Sequence, residues 1–201
     1  MSTITLNKYS IEDLNKKAFE RAYYDWLEAW DYFWHEENMD SLNKFAEYFN
    51  LKINNLQYGG VESPYINYTI KNKFHRNDLD LFGKRLIGYL YKNCFDLLYK
   101  GKYYSKFDSK INYHSKVLFE RTATLTGYCM DMELLDCFYE YLDNPNMYIS
   151  LEGLIDIAVN NFIEACHKDY NHCSSREYFK EDMINTEVYF TSEGYRLDMV
   201  A

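Results

Sequence analysis

"INNLQYGG" (residues 53–60) and "SPYINYTI" (63–70) decide the fold class. Each is a short run mixing branched and aromatic residues with polar ones, and Gly59–Gly60 between them supplies a turn, so they read as two strands. Pro64 has no amide to donate and belongs at a strand start or an edge. Further strands are expected at "TITL" (3–6), "KVLFERTATLTG" (116–127) and "EVYFTSEGYRL" (187–197). The second of these is rich in β-branched residues and closed by glycine, and the third turns at Glu193–Gly194.

Helical patterns fill the space between. Ser10 with Asp13 resembles a capping box, and Leu14, Ala18, Ala22, Trp26, Ala29 and Phe33 repeat at helical spacing to about Glu36. Asp40 to Asn50 fits a second helix. Asn77 with Asp80 opens a third, striped by Leu79, Phe82, Leu86, Leu90, Cys94 and Leu97 and stopped by Gly101. Met132–Leu142, a Ser150-capped helix to about Lys168, and a helix boxed by Ser174 and Glu177 to about Asn185 complete the pattern. Helices and strands interleave without a βαβ rhythm. The expected class is therefore α+β, several helices packed on a small, mainly antiparallel sheet, in a single domain over 1–201.

Of the 201 residues, 47% are apolar, enough for a core, and 22 are tyrosine, a residue favoured in binding patches as well as cores. Five cysteines, an odd number, suit reduced thiols in a cytoplasm better than a disulfide framework. "MSTITLNKYS" lacks the basic and apolar regions of a signal peptide, and no run has the 18 or so apolar residues of a membrane span. The expected location is the cytoplasm, without membrane association.

Net charge is −9, and its distribution is segmented. From Ala22 to Asn43 there are six acids (Asp25, Glu28, Asp31, Glu36, Glu37, Asp40) and no Lys or Arg. From Thr122 to His167 there are eight (Asp131, Glu133, Asp136, Glu140, Asp143, Glu152, Asp156, Glu164), again without Lys or Arg. Lys71 to Arg121 holds twelve basic residues against five acidic. The acids either pair with that basic segment or present a negative surface, an asymmetry that bears on partners and association rates.

"CHKDYNHC" (166–173) invites a zinc reading. On one continuous helix, Cys166 and Cys173 would be ~10 Å apart along the axis and His167 and His172 would point roughly 140° apart. Thiolates sharing a zinc each lie about 2.3 Å from it, so the four groups cannot meet one ion unless the helix breaks, as Ser174 acting as the next cap suggests near Asn171. A helix end with core cysteines is the expectation, with no metal and no cofactor. No P-loop, GxSxG or HExxH motif occurs. Asp31 with His35, and Cys129 with His114, are conceivable acid–base or nucleophilic pairs. A solvated helix face explains the first pair better, and nothing in the sequence joins the second; no catalytic residue is assigned and the chain is not expected to be an enzyme.

Trp26, Trp30 and Trp34 stand at i, i+4 and i+8, one ridge on the first helix, and read mainly as core; an aromatic anchor at an interface is the alternative. The candidate partner-binding set is Asp25, Glu28, Asp31, Glu133, Asp136 and Glu140, with Trp30 and Trp34. The aromatic and basic run at 89–110 is interrupted by acids, so direct nucleic-acid binding is not expected.

Both ends of the chain resemble a loosely defined family of small phage and mobile-element proteins. The opening "TITLNKYSIEDLNKKAFERAYYDWL" (3–27) is similar to their strand and helix start. The ending "YNHCSSREYFKEDMINTEVYFTSEGYR" (170–196) is similar to their capped helix, strand and turn, at Ser174, Asn185, Phe190, Thr191 and Gly194. Together these segments are about a quarter of the chain. Where such proteins carry a glycine-rich "G-F-w-s-Q-G-D-G-A" stretch, this chain has "NLQYGGVESPYINY" (55–68), so whatever that stretch does is not carried over. The resemblance implies a setting, a mobile element in a bacterial cytoplasm, in which small acidic proteins often inhibit host defence. The expected function is a protein that binds and inhibits a nucleic-acid-handling defence complex, of the anti-CRISPR or anti-restriction type, partly by mimicking DNA phosphates. Its partner would be a protein with a basic nucleic-acid-binding surface; the sequence leaves the oligomeric state open. The alternatives are an antitoxin-like protein-binding module and a metal-dependent hydrolase or nuclease.

Overall fold

The computed structural model of the chain describes residues 7–60, 63–71, 76–103 and 117–197. Among them the order is α1 (Lys16–Ala29), α2 (His35–Tyr48), β1 (Leu51–Gln57), β2 (Tyr65–Ile70), α3 (Arg76–Leu79) and α4 (Gly83–Asn93), then α5 (Phe95–Leu98), β3 (Lys100–Tyr103), β4 (Val117–Glu120), α6 (Met130–Asp143), α7 (Leu151–Cys173) and α8 (Arg176–Asn185). The fold class is α+β, as the patterning indicates. β1 pairs antiparallel with β2, from Leu51 opposite Ile70 to Gln57 opposite Tyr65, with an irregularity between Ile53 and Asn55. β3 pairs antiparallel with β4, so the described strands form two small sheets rather than one. No helix among the described residues is long and apolar enough to cross a membrane.

The chain divides into two compact units, a terminal unit of Met1–Phe33 with Lys168–Ala201 and a central unit of Trp34–His167. In the central unit, α2 and its C-cap contribute Leu42, Phe45 and Phe49 and α6 contributes Leu134, Leu135 and Phe138, all wholly buried. The Phe49 and Phe138 rings stack at 5.5 Å, which fixes α2 against α6. The tyrosines are satisfied as buried tyrosine demands: Tyr139 donates to the Leu98 carbonyl at 2.6 Å, and Tyr141 to that of Gly83 at 3.3 Å.

In the terminal unit, Ile11, Ala22, Tyr23, Phe179, Met183 and Phe190 form the core. α1 and α8 are held together at their surface by Arg176, whose guanidinium pairs with Glu20 at 2.8 Å and lies 4.5 Å from the Tyr23 ring centre. The Tyr23 hydroxyl donates to the Ser174 carbonyl at 2.7 Å.

Several boundaries differ from the sequence reading, each for a local reason. The Ser10 hydroxyl does bond Asp13, at 2.8 Å, but this closes a turn; α1 starts later because Asn15 Oδ1 accepts from both Lys17 and Ala18 amides at 3.0 Å. α1 also ends at Ala29, where Trp30 turns extended (φ −77°, ψ 131°), so no helix runs through to Glu36. The third helix is interrupted at Phe82, and Gly101 lies in β3 rather than at a helix end. Gly83 sits there at φ +56°, a left-handed conformation that favours glycine, with the Met147 side chain against it. Ser175, not Ser174, caps α8, accepting from the Tyr178 amide at 3.1 Å. Among the described residues of the expected 116–127 strand, only 117–120 form a strand. "TITL" (3–6) lies outside the described residues, as does His114 of the Cys129–His114 pair.

Candidate functional site

The end of the chain builds an enclosed feature of the terminal unit. Tyr9 and Phe190 exchange both backbone bonds at 2.9 Å, bringing the 187–197 segment beside the start of the chain. The Thr191 hydroxyl accepts from the Glu193 and Tyr195 amides at 3.3 and 3.2 Å, and the Thr191 carbonyl from the Gly194 amide at 3.0 Å. Gly194, at φ +91°, rests on the α1 backbone: a Cβ there would lie 2.1 Å from the Ala18 carbonyl oxygen. Only glycine permits that approach. Phe190, Thr191 and Gly194 thus form a single closed turn seated on α1.

Between this turn, α1 and α8 lies a cavity of about 220 Å³. Its walls are Ala22, Trp26, Phe179, Met183 and Phe190, with Asp25, Ala29, Tyr195 and Arg196 around its edge. Phe179 and Phe190 are buried, Trp26 is half-buried, and the Trp26 and Phe179 rings lie 5.1 Å apart. Asp25 and Ala29 are exposed. Among the described residues no Lys or Arg pairs with the Asp25 carboxylate.

The three tryptophans do not share one helix, as expected from their spacing, because α1 stops before Trp30. Trp26 and Trp30 remain neighbours at 5.8 Å, both half-buried, and Trp30 packs edge-on to Tyr170 at 5.2 Å. Trp34 belongs to the central unit, where it precedes α2 and is 44% exposed. None of the three is a fully buried core residue, which corrects the reading of the ridge as core.

Asp25 and Glu28 are exposed one turn apart on α1, and Asp31 is exposed just beyond it. In the central unit Asp136 and Glu140 are exposed one turn apart on α6, with Glu133 half-buried on the same helix face. Glu152, Asp156 and Glu164 are exposed on α7. The candidate carboxylates therefore fall into two sets, one in each unit. Asp143 pairs bidentately with Arg121 at 2.5 Å, and that guanidinium holds its carboxyl below the usual carboxylate range. Asp156 accepts from the Tyr68 hydroxyl. Among the described residues, Asp136, Glu140, Glu152 and Glu164 have no Lys or Arg partner.

Asp131, counted by sequence with the acidic surface, is wholly buried. It accepts from the amides of Leu125, Thr126 and Gly127 at 3.1, 2.8 and 2.9 Å and from the Thr126 hydroxyl at 2.8 Å. This carboxylate gathers three successive amides and so holds 125–127 as a loop leading into α6 rather than as part of the expected strand.

α7 runs unbroken through "CHKDYNHC" to Cys173. Cys166 and Cys173 are buried, His167 Nδ1 meets the Tyr58 carbonyl at 2.6 Å, and His172 is exposed against the Tyr178 ring. Among the described residues no three His, Cys, Asp or Glu side chains come together as metal ligands would. His35 places Nδ1 2.5 Å from the Tyr58 hydroxyl.

No family model matches this chain, and neither does any curated protein or solved structure with which it was compared. Sequence reasoning found the acids but missed the cavity. Its walls come from α1 on one side and from α8 and the final turn on the other, which lie far apart in the chain. The one local signal was the glycine at 194, in the run "FTSEG".

Proposed function

We propose that this chain is a binding protein that inhibits a nucleic-acid-handling host-defence complex, of the anti-CRISPR or anti-restriction kind, by presenting carboxylates where that complex receives phosphates. The observation that carries the reading is the exposure of Asp136 and Glu140 on α6 and of Glu152 and Glu164 on α7 without a cationic partner among the described residues. An exposed carboxylate without a cationic partner keeps its field for a binding protein, and a basic phosphate-binding surface is the complementary one. The similarity of the two chain ends to phage proteins supplies the setting.

The test begins with capture of the partner from a bacterial host, identified by mass spectrometry, followed by binding measurements with the purified partner. Affinity should fall steeply as salt rises from about 0.05 to 0.5 M, because screening shortens the reach of exposed charges. Replacing Glu133, Asp136 and Glu140 together by Lys should leave the chain folded, since Asp136 and Glu140 are exposed and Glu133 is only half-buried, and abolish binding. A triple variant that binds and inhibits like the wild type defeats the phosphate-mimic reading. Binding indifferent to salt would instead favour an apolar, antitoxin-like interface, and divalent-ion-dependent hydrolysis an enzyme.

A further inference from the structure

The cavity of the terminal unit is lined by the buried Phe179, Met183 and Phe190 and also by the exposed Asp25 and Ala29, so it reaches solvent. At about 220 Å³ it exceeds the roughly 150 Å³ that suffices to admit a benzene ring in an apolar interior. Its walls suit a ring in particular. Trp26, Phe179 and Phe190 offer aromatic edges and faces, and Met183 offers a polarisable sulfur that favours aromatic contact. Ala29, exposed at the entrance, is small enough to leave the way in open.

The charge at the entrance is as informative as the shape. Asp25 is exposed beside the opening, and Glu28 follows one turn later on α1. The run from Ala22 to Asn43 supplies no Lys or Arg. Nearby Arg21 is committed elsewhere, 3.7 Å from Glu193 and with its guanidinium 4.8 Å from the Tyr195 ring centre. Arg196, at the edge, is already engaged within the protein.

We infer that the cavity receives an aromatic side chain of the protein partner, and that the residue beside this side chain is Lys or Arg, held by Asp25. A buried aromatic anchor flanked by a rim charge pair is the arrangement in which a few residues carry most of an interface's binding energy. The inference rests on the reading of the chain as a binding protein, but not on the acids of α6 and α7, and it adds what the partner must present.

Capped dipeptide amides test it without any partner. The full chain is labelled at its methionine methyls with carbon-13, and the Met183 signal is followed by NMR as acetyl-Arg-Phe-amide, acetyl-Glu-Phe-amide or acetyl-Arg-Ala-amide is added. The first should shift Met183 saturably, the second should bind about five-fold more weakly because its carboxylate meets Asp25, and the third should leave Met183 unmoved. Asp25→Asn should bring the first two within about two-fold of each other. Ala29→Trp, which plugs the entrance from an exposed position, should abolish all shifts; Ala29→Phe serves if that variant is unfolded by circular dichroism. An unmoved Met183 with the Arg-Phe probe, equal binding of the Arg and Glu probes to the wild type, or unchanged binding by the plugged variant would overturn the inference. Because the probes carry no basic protein surface, this result stands apart from the charge-reversal test on α6. Loss there with dipeptide binding intact, or the reverse, identifies which idea has failed.

Discussion

Thr126 gives Asp131 both its amide and its hydroxyl, each at 2.8 Å, while its own hydroxyl lies 3.1 Å from that of Ser41 on α2. One buried carboxylate thereby ties the 125–127 loop to the start of α6, and the loop to α2. Replacing Asp131 by Ala leaves several buried donors without their acceptor, so stability should fall by about 2–4 kcal/mol. Urea unfolding followed by circular dichroism measures this. Asp136→Ala, on the exposed face of the same helix, should stay within about 0.5 kcal/mol of the wild type. Equal effects of the two would mean that Asp131 does not organise the loop.

The terminal unit should be sensitive at Phe179, a wholly buried residue whose ring contacts those of Phe19, Tyr23 and Trp26. Phe179→Ala should cost ~3–5 kcal/mol, the range for deleting a buried aromatic. Trp26→Ala should cost clearly less, because that side chain is only partly buried and lines the cavity. Thermal unfolding of the two variants gives the order; Trp26→Ala as the more damaging change would return Trp26 to the core.

Arg121 and Asp143 give a dependence on acid. The hydrogen bond from the guanidinium, then its charge, hold the Asp143 carboxyl below its ordinary 3.8. A carboxylate with a depressed folded pKa stabilises above its unfolded pKa and loses that contribution as pH falls through the folded value. The pair is exposed to solvent, so the effect on stability is screened and small. The clean readout is carbon-13 NMR of the Asp143 carboxyl. It should titrate at lower pH than free aspartate in the wild type and return to the ordinary range in Arg121→Gln. An unchanged titration would show that the pair does not persist in solution.

The cysteines should separate by reactivity. Burial pushes the Cys94 thiol up to about 11 and that of Cys137 up to about 12, so both stay protonated and shielded at neutral pH. Cys129 is exposed. A colorimetric disulfide reagent at pH 8 should titrate Cys129 promptly and the buried thiols only on unfolding, and Cys129→Ser should remove the fast phase. Because the folded pKa values are raised, stability is full below the ordinary thiol value of 9.0 and declines as pH rises from there toward them. Prompt reaction of Cys94 or Cys137 would contradict their burial.

The sequence by itself determined the class and the larger elements. "INNLQYGG" and "SPYINYTI" form paired strands because alternation and the Gly59–Gly60 turn are local signals, and α6 and α7 follow their apolar periodicity for the same reason. It also determined that carboxylates cluster without nearby cations. Tertiary structure alone decided which of those acids matter in which way. Nothing in "YCMDMELLD" (128–136) distinguishes Asp131 from Asp136, and only the return of the 125–127 amides onto α6 makes the first a buried acceptor and leaves the second in solvent. The helix break at Trp30 was hidden because the spacing of the tryptophans continues across it; Asn15 and the extended Trp30 set the ends of α1. The cavity was illegible because Trp26, Phe179 and Phe190 are individually ordinary apolar residues. What they enclose depends on how closely two helices and a turn approach, which Gly194 against Ala18 fixes through space rather than along the chain.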